Sequence, residues 1–161
     1  MSRTTYRQLL AASLLLSATA ASAAPPAHFL KKAIQGNFSE VTLGHMIERR
    51  AASGEVKHFG AMLVSDHSKG LAQAQSIASR LRLRIPATLT PEARNEQRRL
   101  QRLNGRAFDL EVKRYMINDH LQDIAEFKTQ ARSGDRATSG YAAATVPVMQ
   151  RHLSMARSIR G

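Results

Sequence analysis

Glu40, His67, His120 and His152 are the residues of this 161-residue chain whose types and spacing suit shared chemistry. Three imidazoles and a carboxylate form a ligand set for a divalent transition metal such as zinc, copper or iron, since each offers a lone pair to such an ion. The same four groups can instead satisfy one another by hydrogen bonds, as a polar core that fixes one packing arrangement. The sequence leaves both readings open. Met116 lies about one helical turn before His120, and Met149 and Met155 flank His152 in the same way. A thioether beside an imidazole suits copper, although methionine also fills irregular cores. Asp66 and Asp119 each precede a histidine. Neighbours on a helix point about 100° apart, so these aspartates are expected as caps, acceptors behind a ligand or surface charges, not as sharers of the ligand position. His28, His45 and His58 are expected at the periphery.

Four long helices must carry these groups. The phrase Met62-Leu63-Val64-Ser65-Asp66-His67 returns as Tyr115-Met116-Ile117-Asn118-Asp119-His120, 53 residues later. Apolar residues at helical spacing predict a first helix from Pro26 to about Ala51, with Phe29, Ala33, Ile34, Val41, Leu43 and Ile47 in one stripe and Glu40 projecting into it. A second runs from Ser53-Gly54 to about Arg82 with His67 near the centre of its apolar face. A third spans about Ala107 to Arg132 around His120, and a fourth about Arg136 to Arg160 around His152, where Pro147 is expected to kink it. Ser133-Gly134-Asp135 is the expected break between these last two. A short arginine-rich helix, Glu92 to Leu103, fills the middle connection after the Thr90-Pro91 start signal. Glu40 lies 13 residues before the Ser53 turn and His67 14 after it, while His120 and His152 lie 16 on either side of Arg136. At about 1.5 Å rise per residue, both members of each hairpin reach the same height. The expectation is an all-α four-helix bundle of two hairpins with one extra short helix.

Composition limits the functional classes. Cysteine is absent, which removes disulfides, thiolate metal sites and cysteine nucleophiles. Arg3 and Arg7, the short apolar stretch Leu9 to Ala18 and the small residues Ala21-Ser22-Ala23 predict a cleaved signal peptide over residues 1–23 and a mature domain over 24–161. The product is expected in the periplasm, free or associated with the outer membrane. No later stretch is apolar enough for a membrane helix. The net charge of +12 falls to +10 once Arg3 and Arg7 leave with the leader. Such an excess favours polyanions, and in an exported protein anionic lipid or lipopolysaccharide is a better candidate than nucleic acid. Arg94, Arg98, Arg99 and Arg102 form the face that would meet them, unless they are simply solvated. There is no glycine-rich phosphate loop, no Gly-x-Ser-x-Gly elbow and no His-Glu-x-x-His motif. The two readings that remain are a non-enzymatic bundle with a metal site or polar core, and a basic envelope interaction protein.

The motifs Phe38-Ser39-Glu40-Val41-Thr42-Leu43-Gly44, Met62 to His67, Gly105-Arg106-Ala107-Phe108-Asp109, Met116 to His120 and Val146-Pro147-Val148-Met149-Gln150-Arg151-His152-Leu153 together resemble the bacterial exported family known as domain of unknown function 4142. The resemblance covers about Ala27 to Ala156. It implies a ferritin-like four-helix bundle and export, and brings no established activity. A di-iron centre of the ferritin kind needs Glu-x-x-His on two helices, but Val64, Ile117 and Met149 stand three residues before His67, His120 and His152. Ferroxidase chemistry is therefore disfavoured.

Overall fold

A computed structural model of the chain describes residues 24–132 and 135–160. The expected signal peptide over residues 1–23 and the expected break at Ser133-Gly134 lie outside the described residues. Among these residues there are five helices and no strand: α1 Pro26–Arg50, α2 Gly54–Arg80, α3 Pro91–Gln101, α4 Gly105–Arg132 and α5 Ser139–Ser158. Helices α1 and α2 pack along their length as one hairpin and α4 and α5 as a second; α2 meets α5 between them, and α1 makes little direct contact with α4. This is the expected bundle with the short helix α3 in its middle connection. Among the described residues no helix is long and apolar enough to cross a membrane.

The helix limits follow from local hydrogen bonds. Ser53 caps α2 by accepting the Val56 N–H at 3.2 Å, and Thr90 caps α3 by accepting that of Ala93 at 3.1 Å, with Pro91 in the first turn. Helix α2 stops at Arg80, short of the expected Arg82. There Arg82 N–H donates to Ser79 O and Leu83 N–H to Ala78 O, both at 2.9 Å, which closes the last turn with Arg82 at φ 57°. Helix α5 begins at Ser139, not Arg136. Asp135 accepts the Ala137 N–H at 3.0 Å and the Thr138 hydroxyl at 2.6 Å, holding this stretch as a turn. Helix α5 continues through Pro147, where Ala143 and Pro147 are both exposed residues.

Two buried apolar clusters fill the bundle. One, near the α1–α2 turn, gathers Leu43, Ile47, Phe59, Leu63, Phe108 and Met116; the other, towards the opposite end, gathers Phe29, Ile34, Ala74, Phe127, Tyr141 and Met149. Asn37 and Glu40 on α1, His67 on α2 and His120 on α4 fall in sequence between the two sets, and His152 on α5 sits at their border. The second hairpin is registered on the first by two polar anchors. Asp109 accepts the N–H groups of Ala52 and Ser53, each at 2.9 Å. Arg50 donates to the carbonyls of Leu100 and Leu103 at 3.2 and 3.0 Å and lies over the Phe108 ring.

Helices α1 and α2 touch backbone to backbone at Gly44 and Gly60. A Cβ on Gly60 would lie 2.7 Å from the Glu48 nitrogen and 2.9 Å from the Gly44 oxygen, neither of which can move aside without shifting a helix. Gly60→Ala is therefore expected to destabilise the fold by about 1–3 kcal/mol, the usual cost of overpacking. Urea unfolding of the variant checks this, and an unchanged midpoint would show that the crossing is looser than described.

Candidate metal centre

His67, His120 and His152 converge in the polar layer. Their ring centroids are 5.1 to 5.9 Å apart, and one ring nitrogen of each lies within 4.8 Å of one from each of the others. All three are buried, at 7%, 2% and 0% exposure. His28, His45 and His58 are exposed, as expected.

The groups behind the three rings determine where their protons sit. His120 Nδ1 is 3.1 Å from the Met116 carbonyl, which can only accept, so this nitrogen carries the proton. His152 Nε2 is 3.2 Å from the Asp66 carboxylate, so it too is the protonated nitrogen. Asp66 is an anion: burial pushes it up, but hydrogen bonds from His152 and Lys69 outweigh that and hold it below the usual carboxylate range. His67 Nδ1 is 3.1 Å from Asn37 Oδ1, and the Asn37 orientation is set because its Nδ2 donates to Ala33 O at 2.6 Å and to the Tyr141 hydroxyl at 3.0 Å. Nδ1 of His67 is therefore also the donor.

A neutral imidazole has one N–H, so three nitrogens are left as bare lone pairs: Nε2 of His67, Nε2 of His120 and Nδ1 of His152. The last two face each other at 3.3 Å with no proton between them, and Nε2 of His67 is buried without a partner. Two facing lone pairs repel. Two nitrogens bound to one tetrahedral ion at about 2.0–2.1 Å, however, stand about 3.3 Å apart. An added proton on His152 Nδ1 would also relieve the contact, yet burial holds His152 below the ordinary histidine range despite Asp66. Burial likewise lowers His67 and pushes His120 down to about 3.

Glu40 belongs to a second group. Its carboxylate comes within 4.8 Å of ligand atoms of Asp119 and His120, a group that has His120 in common with the three-histidine set. Glu40, His67 and Asp119 line a cavity of about 300 Å³ between α1 and α4, to which neither His120 nor His152 contributes. Asp123, Glu92 and Glu126 also face it. Five of the chain's 12 acidic residues thus line one cavity, against Lys32 alone among the described lysines and arginines, and Lys32 is paired with Glu126 at 2.7 Å. Burial raises Glu40 well above the usual range, helped by the neighbouring charge and hydrogen bond of Asp119. It also raises Asp119, in part offset by hydrogen bonds with Glu40 and Tyr115. Asp123 is pushed up to about 8 by burial and by the charges of Asp119 and Glu126.

Sequence reasoning placed the three histidines but missed Asn37, Tyr115 and Asp123. Asp123 stands one turn after Asp119, a spacing that puts two acids on one helix face. Asp66 acts as an acceptor behind a histidine, but that histidine is His152 on α5 and not its neighbour His67. Met116 and Met149 are buried in the two apolar clusters, and Met149 also reaches the cavity wall.

The carboxyl of Asp123 is protonated in the fold and ionised in the unfolded chain between about pH 4 and pH 8, so stability falls as pH rises through that window. Asp123→Asn should raise the melting temperature by several degrees at about pH 9, with a smaller gain at neutral pH and none below about pH 4. Thermal melts across this range check it; a gain independent of pH would place the carboxyl in water.

No curated protein and no solved structure matches the chain. The family model described as domain of unknown function (DUF4142) matches residues 12–159, nearly the full length and including every element that carries the histidines. The chain belongs to the DUF4142 family.

Proposed function

We propose that this protein is an exported helical bundle that binds one divalent transition metal ion, of the zinc, copper or iron class, through Nε2 of His67, Nε2 of His120 and Nδ1 of His152. The observation that carries the reading is the facing pair of unprotonated nitrogens 3.3 Å apart on His120 and His152, beside the unpartnered nitrogen of His67. Asp66, Asn37 and the Met116 carbonyl supply the outer hydrogen bonds that hold each ring in its metal-binding tautomer. Three protein ligands leave a tetrahedral ion one further position. His67 lines the cavity, so a water or small ligand would approach from that side. Export is supported by the leader-like residues 1–23, and cell fractionation with amino-terminal sequencing of the mature chain tests it.

The exposed Arg94 and Arg98 on α3 and Arg102 just past its end, about one turn apart, support a second role in holding the protein to anionic lipid or lipopolysaccharide. Binding to anionic vesicles that weakens with salt and is unaffected by His67→Ala would separate it from metal binding.

Protein purified from its native compartment without chelators should carry near one equivalent of a single transition metal by mass spectrometry. His120→Ala, confirmed folded by circular dichroism, should carry less than about a tenth of that, because losing one of three ligands removes most of the binding energy. A metal-free wild type that stays so on titration with zinc, copper and iron at neutral pH would make the histidines a polar core.

A further inference from the structure

We infer a second cation site beside the histidines, an all-oxygen one in the cavity between α1 and α4, which takes a hard divalent cation such as Mn²⁺, Ca²⁺ or Mg²⁺ on the carboxylates of Glu40 and Asp119. Carboxylate oxygens from both come within 4.8 Å of one another, a separation that two oxygens on one such ion have at about 2.0–2.6 Å per bond. His120 is near enough to complete this group, but its Nδ1 proton is committed to the Met116 carbonyl, so it supplies no lone pair there. Water in the cavity would complete the coordination.

Two observations beyond the acidic cluster point to a ligand. Oε2 of Glu40 has no hydrogen-bond partner although the residue is only 3% exposed and lines the cavity. An unpartnered buried carboxylate oxygen is costly, and a cation answers it without any rearrangement. The charge distribution agrees: a chain with twice as many basic as acidic residues concentrates five of its 12 acids on this cavity. A surface that repels cations elsewhere admits them here. Oxygen ligands select hard ions where the imidazoles select softer ones, so the two sites divide the metals by chemistry. They share no ligand atom, and the carboxylate site does not rest on the histidine site being filled.

Mn²⁺ titration followed by electron paramagnetic resonance, in buffer with moderate sodium chloride and one equivalent of zinc present, tests this. One Mn²⁺ per chain should bind to wild type and to His152→Ala, and bind at least about tenfold more weakly to Glu40→Gln and to Asp119→Asn. Circular dichroism identifies any variant that fails to fold, and the two isosteric variants are independent probes of the same site. Loss of Mn²⁺ in His152→Ala with retention in the carboxylate variants would place the ion on the histidines and overturn the inference. So would binding that survives both carboxylate variants, binding that sodium chloride alone abolishes, or none in a wild type that binds zinc normally. Mn²⁺ bound at Glu40 by a protein that takes no zinc would leave this site standing and remove the histidine site.

Discussion

A neutral imidazole has two nitrogens and one proton, and in this bundle the proton is claimed from outside. The Met116 carbonyl takes that of His120, the Asp66 carboxylate that of His152 and the Asn37 amide oxygen that of His67. Each of the three acceptors comes from a helix that the core already holds in place. What remains inward is three buried lone pairs. That arrangement is unfavourable by itself and favourable around a cation, which makes the outer hydrogen bonds as much a part of the site as the rings.

The rest of the fold keeps this layer at one height. Two apolar clusters lie on either side of it, so a shift of any helix along its axis would bury a polar group against leucine and phenylalanine. The close crossing at Gly44 and Gly60 sets the spacing of α1 and α2, and Gly70 leaves the room that Asn37 occupies. Asp109 and Arg50 register the second hairpin on the first. With α1 and α4 in little direct contact, a cavity opens on one side of the layer, and its carboxylates give the site a polarity opposite to that of the protein surface.

Much of this was legible in the sequence because helical periodicity is a local property. The repeated phrase ending in His67 and His120, and equal distances from the turns, put the histidines inward and level. The division of Glu40 from them was not legible. A wheel places a residue on a face but says nothing of which neighbouring helix that face meets, and Glu40 groups with Asp119 and His120 on α4 instead of with all three histidines. The cavity position of Asp119 and Asp123 was not legible for a related reason: they lie off the centre of the apolar stripe, at an edge that is surface in most bundles and a cavity wall here. The pairing of Asp66 with His152 joins residues 86 positions apart across two hairpins, and nothing local announces it.

Proton–nitrogen correlation NMR on the imidazole rings, before and after one equivalent of zinc, tests the proton placement most directly. Expected in the metal-free protein at neutral pH are three neutral rings, with His67 and His120 protonated at Nδ1 and His152 at Nε2. On adding zinc these protons should stay while the three bare nitrogens shift together. A doubly protonated His152, donating from Nδ1 to His120 and unmoved by zinc, would contradict the metal reading and establish a hydrogen-bonded polar core.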